Sequence, residues 1–194
     1  MAEVRAAERS SQSARVPSKA STGTRGEALA GGQPGSARAE GSSGLGRIDY
    51  GLHAQGASDA QIALQRYVDG CDLDRGLLEL VRIRASQLNG CAYCLSLHIP
   101  EALEAGESET RIHLLTAWAE SGLFSPREQA ALAWTEAVTR LDAGHVPEEI
   151  YDCARQYFSE KELVDLTWAI VAINGWNRLS VSFRRPPRTN APRE

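Results

Sequence analysis

The sequence predicts an all-α protein with one folded domain of about seven helices. From residue 47 onward, apolar residues recur at the spacing of helices that each bury one face. Several of these segments begin with helix-capping sequences, such as Ser125-Pro126-Arg127-Glu128 and Ser159 followed by Glu162. No segment shows the alternating apolar pattern, bounded by turn residues, that predicts a strand. Connections of about two to six residues favour antiparallel neighbours in a helical bundle.

The size and composition are typical of a soluble globular protein. The chain has 194 residues, of which 42% are hydrophobic and 24% charged, so it holds one domain, or one domain and a tail. The net charge of −4 and the scattered basic residues give no signal for nucleic-acid binding. No apolar run approaches the roughly 18 to 20 residues that cross a bilayer, and the N-terminus lacks the apolar core of a secretory signal. We therefore expect a cytoplasmic protein without a membrane partner.

The two ends of the chain differ from its centre. Residues 1–46 are rich in Ser, Gly, Ala and Arg and contain no aromatic residue, so we predict a disordered low-complexity tail. An inert tail, or a start codon chosen too far upstream, explains this composition better than a transit peptide, because Glu3 and Glu8 weaken the latter. The helical domain is predicted for residues 47–185, and Pro186-Pro187 then opens a mobile C-terminal tail, 186–194.

The first three helices follow from their apolar faces and from the residues that end them. Ala57–Val68 is the first, and we expect its inward face to consist of Ile62, Leu64, Tyr67 and Val68. Asp72 and Asp74 can cap the second, which has an unusually wide apolar face. Asn89-Gly90 ends this helix, because the pair readily adopts the left-handed geometry of a helix C-cap. The third helix begins at the cysteines and runs to about residue 106.

Four further helices complete the predicted bundle. Ser108 caps the fourth, through residue 120, and the capping box at Ser125 opens the fifth, to about residue 141. Pro147 starts the sixth, and the long final helix runs from Ser159 to about residue 183. Within the third helix, Pro100 predicts either a kink or a break and restart, because it removes a backbone hydrogen bond.

The later helices also carry large aromatic and polar side chains. Four tryptophans lie at helical core positions, where we expect them to pack in the core or to form the wall of an apolar substrate pocket and subunit contacts, namely Trp118, Trp134, Trp168 and Trp176. Asn174, Asn177 and Arg178 lie near the end of the apolar final helix, where buried polar groups need partners. They are candidates for bracing a site or an interface.

The stretch from residue 79 to residue 98 holds the residues that best indicate chemistry. Cys91, Cys94 and His98 are spaced i, i+3, i+7, so they share one face of a helix that starts near Cys91. A Cys-x-x-Cys in the first helical turn favours a thiolate, because unpaired N–H groups and the helix dipole stabilise negative charge there. In a reducing cytoplasm such a pair is more often catalytic or metal-binding than structural. Cys71 and Cys153 stand alone and are predicted to be small buried apolar residues.

This arrangement matches the requirements of a thiol peroxidase. Such an enzyme needs an attacking thiolate, a proton-transfer group and a second thiol that turns the sulfenic acid into a disulfide. Cys94 and Cys91 supply the sulfurs, and His98 lies one turn away as the proton shuttle. Glu79 is the candidate carboxylate that orients the imidazole. It lies ten residues before the Asn89-Gly90 corner and His98 eight after, so an antiparallel return brings them to comparable heights.

Two other interpretations of these residues remain open. One is a zinc site made by Cys91, Cys94 and His98 with His113 or Cys153 as the fourth ligand, although this spacing suits a tetrahedral ion poorly. The other is a redox-responsive or interaction module, in which the cysteine pair senses oxidation without turnover.

Over about residues 47–185 the sequence resembles the alkylhydroperoxidase D-like (AhpD-like) proteins of the carboxymuconolactone decarboxylase superfamily. The specific core of the resemblance is Glu79, twelve residues before a Cys-x-x-Cys, with His98 four residues after the second Cys. The flanking segments LLELVRIRASQLNGCAYC, EALEAGE and INGWNRLSVSFR also look like the family. The resemblance implies an all-α fold in homo-oligomers, trimers or hexamers, that reduces hydroperoxides through a disulfide. Decarboxylation of a muconolactone is disfavoured, because members with that activity do not rely on a Cys pair.

Carried over residue by residue, the resemblance implies that Cys94 is the peroxidatic cysteine and Cys91 the resolving one, joined in a redox-active disulfide. Glu79 and His98 would form the proton relay. The helix terminus favours a lower pKa for Cys91 instead, but a specific base outweighs a dipole worth roughly 0.3 to 1 kcal/mol. Tyr93 stands where some members carry a His, so its phenol is an accessory group at most. We expect no bound cofactor and no metal: the substrate is a hydroperoxide, and an external thiol, a lipoyl-type dithiol or an electron-donor protein supplies electrons.

Overall fold

Helices form all the regular secondary structure in the part of the chain that the structure, a computed structural model, describes: residues 46–141 and 145–189. The predicted all-α class is therefore confirmed. Apart from Gly46, the predicted N-terminal tail lies outside these residues, as does the end of the predicted C-terminal tail. The domain boundaries stay predictions.

The helices follow the predicted order. They are α1 (Tyr50–His53), α2 (Gln55–Asp69), α3 (Arg75–Leu88), α4 (Ala92–Glu104), α5 (Glu109–Leu114), a 3₁₀ helix (Leu115–Ala117), α6 (Trp118–Ser121), α7 (Pro126–Thr139), α8 (Glu148–Tyr157) and α9 (Glu160–Ser182). All seven predicted helices are present, but the fourth is divided into α5, the 3₁₀ helix and α6, and the single turn α1 was not predicted. Two tertiary contacts lie where this helix is divided. Leu115 is fully buried, and Trp118 Nε1 donates to Glu136 of α7 at 2.7 Å.

Caps set most helix ends. The Asp74 carboxylate accepts the Leu77 N–H at 2.9 Å and starts α3. Both predicted capping boxes are present, at Ser125 and Ser159. Helix α4 is continuous through Pro100, so the predicted alternative of a break and restart is wrong. The cysteines and His98 consequently project from one uninterrupted helical frame.

Helix α3 is the centre of the bundle, because it packs against α4, α7 and α9. Its wide apolar face is buried as predicted, in residues that include Leu77, Leu78, Leu80, Val81 and Ile83. Cys71 and Cys153 are half-buried against the main hydrophobic cluster between α3, α7 and α9. Cys91 and Cys94 belong to a smaller buried cluster with Ala85 and Ile173, at the end of α3 that faces α9.

Two side chains expected inward are exposed, and so is one tryptophan that was expected in the core or at a subunit contact. Ile62 and Tyr67 of α2 are 38% and 52% exposed, and Trp168 of α9 is 45% exposed. The helical period was right, but α9 covers only part of the apolar surface of α2. On α9, Trp168 forms an exposed apolar stripe with Val164 and Val171, at i, i+4, i+7 spacing.

Among the described residues, no helix combines the length and the apolar character needed to cross a membrane.

Alanine substitutions at two glycines should have opposite effects on the unfolding free energy, one at the corner between α3 and α4 and one at an ordinary helical position. Gly90 has φ +63° and open space around an added Cβ, so Gly90→Ala should cost roughly 1 to 2 kcal/mol of unfolding free energy through backbone strain alone. Gly56, inside α2, also has open space but no positive φ, so Gly56→Ala should gain roughly 0.4 to 1 kcal/mol. Urea unfolding measures both changes. Equal effects of the two substitutions would contradict this account of the corner.

Candidate active site

The corner between α3 and α4 fixes Cys91 from both sides. Gly90, with φ +63°, donates to the Gln87 carbonyl at 3.2 Å, and the Cys91 N–H donates to the Ser86 carbonyl at 2.9 Å. This pair of bonds is the Schellman motif that closes a helix C-terminus. Cys91 is also the N-cap of α4, where its sulfur accepts the Cys94 N–H at 3.3 Å. One residue therefore ends α3 and starts α4.

The two thiols are free and buried, and their acidities differ. Hydrogen bonds from the Cys94 thiol and then from the Cys94 backbone N–H lower the pKa of Cys91 to about 6, although burial opposes this change. The same thiol–thiol hydrogen bond, together with burial, raises the pKa of Cys94 well above its ordinary value. Ser180 Oγ of α9 lies 3.9 Å from Cys94 Sγ. The pair thus loses one proton readily, and the negative charge is held best at Cys91.

His98 is buried beside two carboxylates. The antiparallel return expected from the sequence is present, and Glu79 Oε2 lies 3.0 Å from His98 Nδ1. Glu101, one turn further along α4, places its own Oε2 3.0 Å from the same nitrogen. Two acceptors at Nδ1 favour the tautomer with the proton on Nδ1, which leaves Nε2 as the basic nitrogen. Glu101 was not among the site residues predicted from the sequence.

A row of alternating charges continues from His98 into α2. Glu79 Oε1 lies 2.6 Å from Arg82 Nη1, and Arg82 Nη2 lies 2.5 Å from Asp69 Oδ1. Burial alone would raise the pKa of Glu79, but the His98 hydrogen bond and the Arg82 charge hold it below its usual value. Burial likewise would lower the pKa of His98, and hydrogen bonds to Glu101 and Glu79 raise it instead. Glu79 is therefore a carboxylate that stays charged.

Cys94 and His98 line one cavity of about 390 Å³, a size typical of small-molecule sites. Cys91 does not line it. The apolar wall consists of Ile62, Leu97, Tyr93 and Trp176, and the Arg185 guanidinium stacks on the Tyr93 ring at 4.0 Å. Cys94 and His98 lie one helical turn apart, so an oxygen bound between them can be reached by both side chains.

The polar residues of α9 brace the corner. Asn89 Nδ2 donates to Asn174 Oδ1 at 2.8 Å and to Asn177 Oδ1 at 2.9 Å. Asn177 Nδ2 in turn donates to Ser86 Oγ at 3.0 Å. Arg178 Nη1 donates to Asn174 Oδ1 at 2.9 Å. Asn174, Asn177 and Arg178 thus occupy the bracing position that was considered for them from the sequence. The contributions of Ser86 and Ser180 were missed, because single serines carry no sequence signal.

The zinc site considered from the sequence is not assembled. Cys91, Cys94 and His98 do not bring their ligand atoms within 4.8 Å of one another, and neither His113 nor Cys153 completes the set. Among the described residues, one group of His, Cys or acidic side chains does meet this spacing, namely Glu79, His98 and Glu101. Its facing atoms are already joined by the two hydrogen bonds to Nδ1.

Comparison with known proteins identifies relatives in sequence and in structure. The profile of the carboxymuconolactone decarboxylase family matches residues 52–137. The uncharacterized protein YdfG of Bacillus subtilis is 38% identical over 137 residues, 71% of this chain and 93% of that protein. A solved structure from Agrobacterium tumefaciens, of a protein of unknown function for which an antioxidant-defence role as an AhpD has been suggested, has a TM-score of 0.73 and 37% identity, covering 75% of this chain and 99% of that one.

A third solved structure shares the fold alone. The debrominase Bmp8 has a TM-score of 0.65 and 20% identity, over 71% of this chain and 74% of its own. A decarboxylase gives the matching family its name, and this structure belongs to a debrominase. The same helical architecture therefore carries different reactions, and the chemistry depends on the residues of each site.

The unequal acidity of the thiols can be measured directly. The ultraviolet thiolate absorbance of the reduced protein should rise with a midpoint near pH 6, where Cys91 loses its proton. In Cys91→Ser this transition should move to higher pH, because burial raises the pKa of the remaining Cys94 thiol, and Cys153→Ser should retain it. A single transition near the ordinary thiol value of about 8.5 would contradict the assignment.

Proposed function

Since the chain is an AhpD-like member of the carboxymuconolactone decarboxylase family, we propose that it is a thiol-dependent peroxidase that reduces hydroperoxides through Cys91 and Cys94. One observation carries the proposal: a cavity with an apolar wall is lined by a thiol and an imidazole, and the sulfur of a second, more acidic cysteine accepts the backbone N–H of the first. This arrangement supplies the three groups that a dithiol peroxidase needs. The alternative of a redox-responsive module without turnover uses the same residues.

In the first step, the Cys94 thiol passes its proton to the neighbouring Cys91 sulfur, and the Cys94 sulfur attacks the outer oxygen of the hydroperoxide. The O–O bond breaks, Cys94 is oxidised to a sulfenic acid, and the hydroperoxide is reduced to an alkoxide that takes a proton and leaves as an alcohol. His98 is the proton shuttle for this leaving group, and Glu79 orients its ring. The walls formed by Ile62, Leu97 and Trp176 favour an organic hydroperoxide with an apolar body.

In the second step, the Cys91 sulfur releases this proton and attacks the sulfur of the Cys94 sulfenic acid. The S–S bond forms, and hydroxide leaves and takes a second proton to become water. The low pKa of Cys91 favours this step, because its thiol releases a proton readily near neutral pH. An external thiol, a lipoyl-type dithiol or an electron-donor protein then reduces the disulfide, and no bound cofactor takes part.

Cavity access supports the order of attack. Cys94 lines the cavity and Cys91 does not, so the hydroperoxide meets the Cys94 sulfur. The resting charge favours Cys91 instead. We assign the attack to Cys94, because a charged sulfur outside the cavity does not meet the hydroperoxide, whereas a low pKa also serves a resolving cysteine. The phenol of Tyr93 is held under Arg185 and acts as part of the wall.

Single cysteine variants test the roles. Cys94→Ser should abolish hydroperoxide consumption with every reductant, because the attacking sulfur is gone. Cys91→Ser should consume one equivalent and stop as a Cys94 sulfenic acid, which dimedone traps and mass spectrometry locates. Cys71→Ser and Cys153→Ser should behave as the unmodified protein, because both residues pack against the main cluster away from the cavity.

Three results would contradict parts of this proposal. Unchanged consumption in Cys94→Ser would exclude the peroxidase reaction assigned here. Trapping of Cys91 in Cys94→Ser would reverse the two cysteine roles. Oxidation of the unmodified protein by one equivalent, followed by no turnover with thiols, lipoyl-type dithiols or donor proteins, would favour the redox-responsive module.

Homo-oligomerisation, as a trimer or hexamer, is part of the proposal, and the exposed stripe on α9 supports it. In a monomer, the apolar surface of Val164, Trp168 and Val171 would be exposed to water. Burial of this surface against further copies lowers the free energy. Light scattering should therefore give a mass of three or six chains. Trp168→Glu should reduce this mass, and Leu114→Glu, an exposed apolar position on α5, should not. A monomeric unmodified protein at micromolar concentration would contradict the expectation.

A further inference from the structure

The two proposed steps consume two protons, and the cysteine pair does not hold both. One proton goes to the alkoxide and one to the hydroxide. Cys91 accepts the Cys94 N–H through its sulfur and carries the negative charge of the pair, so only the Cys94 thiol proton is available there. The second proton has to be held by another group at the site before the hydroperoxide binds, or be collected from water during the reaction.

His98 can hold that proton, and its surroundings favour the charged ring. From α2 to α4, the row runs Asp69, Arg82, Glu79, His98, Glu101, with each neighbour in contact. Its charges alternate in sign along the whole row only when the imidazole is protonated. Glu79 shares its charge with Arg82, whereas His98 is the partner of Glu101 within the described part of the chain. Glu101 therefore gives His98 a carboxylate whose charge is not shared with Arg82.

Glu101 also differs from Glu79 in its position. The Glu79 side chain is 2% exposed, but the Glu101 side chain is 36% exposed and lines the cavity. Orientation of the ring needs only one acceptor at Nδ1, and Glu79 provides it from inside the bundle. A second acceptor at the same distance is thus not needed to fix the ring. Its effect is to stabilise a positive charge on the ring.

We propose that Glu101 is a positioning residue for the peroxidase reaction, which acts through His98 Nδ1 to keep the imidazole protonated in the resting enzyme. Both protons that the reaction consumes are then on the site before the hydroperoxide binds: one on Cys94 and one on His98. The Cys94 proton passes to the Cys91 sulfur with which it shares a hydrogen bond, and His98 protonates the alkoxide. The former Cys94 proton then leaves with hydroxide as water. This inference depends on the proposed function.

Several other charged or titratable groups surround His98 and remain unchanged in the test. They are Glu79 and Arg82 on α3, Asp69 and Arg66 on α2, Cys91 and Cys94 at the start of α4, and Arg185 after α9. Burial and the charge of Arg82 both lower the pKa of His98. Removal of Glu101 leaves this opposition in place, so the ring should lose its proton at lower pH.

The experiment compares Glu101→Gln with Glu101→Asp and with the matched control Glu104→Gln. The Gln side chain keeps an acceptor for Nδ1 but removes the charge, and Glu104 is an exposed residue at the end of the same helix. Reduced protein is mixed with cumene hydroperoxide, and Cys91–Cys94 disulfide formation in a single turnover is followed by quenched mass spectrometry from acid to alkaline pH. The rate requires a charged His98, so it should fall on the alkaline side.

In Glu101→Gln this alkaline limb should move down by about one pH unit, because a contacting opposite charge is lost. At pH values above the alkaline limbs of both proteins, the rate of Glu101→Gln should be about tenfold lower than that of the unmodified protein. At low pH the two rates should be similar. Glu101→Asp should restore part of the shift, and Glu104→Gln should show none. The same displacement should appear in the His98 titration measured by nitrogen-15 NMR, which does not depend on activity.

An unchanged pH profile in Glu101→Gln, or an equal loss of rate at every pH, would overturn the inference and leave the peroxidase proposal standing. Equal NMR midpoints for His98 in the unmodified protein and Glu101→Gln would overturn it as well. A protein that does not consume hydroperoxide with any reductant, yet shows the NMR displacement, would overturn the proposed function, and the reaction role of Glu101 with it.

Discussion

The hydrogen bond from the Cys94 N–H to the Cys91 sulfur is the interaction on which both the local fold and the chemistry depend. It caps α4, and it holds the Cys91 sulfur at the partial positive charge of the start of that helix. The Cys91 N–H is meanwhile the last donor that closes α3. The sulfur cannot move far without opening the corner. The spacing of the motif therefore makes the two thiols unequal: one is a capped anion and the other a thiol that lines a cavity.

The site is held by buried polar groups that give little stability of their own. Buried ion pairs such as Glu79 with Arg82 pay a large desolvation cost, and apolar replacements of such pairs are often as stable. The neutral amides of Asn89 and Asn177 carry a smaller desolvation cost, which their mutual hydrogen bond offsets. Within the described residues no buried side-chain polar atom lacks a partner. Such complete hydrogen bonding is typical of a site whose geometry matters more than its contribution to the stability of the fold.

Much of the fold could be predicted from the sequence, because capping boxes and helical periodicity are local. The approach of Glu79 to His98 could also be predicted, since a left-handed Gly90 reverses the chain between two helices of similar length. Glu101 could not, because a Glu three residues after a His is usually a solvated surface residue. For a related reason, the sequence did not decide between a core position and a subunit contact for Trp168. Periodicity defines an apolar face but does not say whether the same chain or another copy covers it.

The most direct test of the account is the stoichiometry of one turnover. Fully reduced protein, without any external reductant, is mixed with excess organic hydroperoxide, and the alcohol and the disulfides are quantified together. The account predicts one alcohol for each chain and one Cys91–Cys94 disulfide for each alcohol, with Cys71 and Cys153 still reduced. Alcohol formation without that disulfide, or a disulfide that forms without any alcohol, would contradict the claim that this cysteine pair reduces the hydroperoxide.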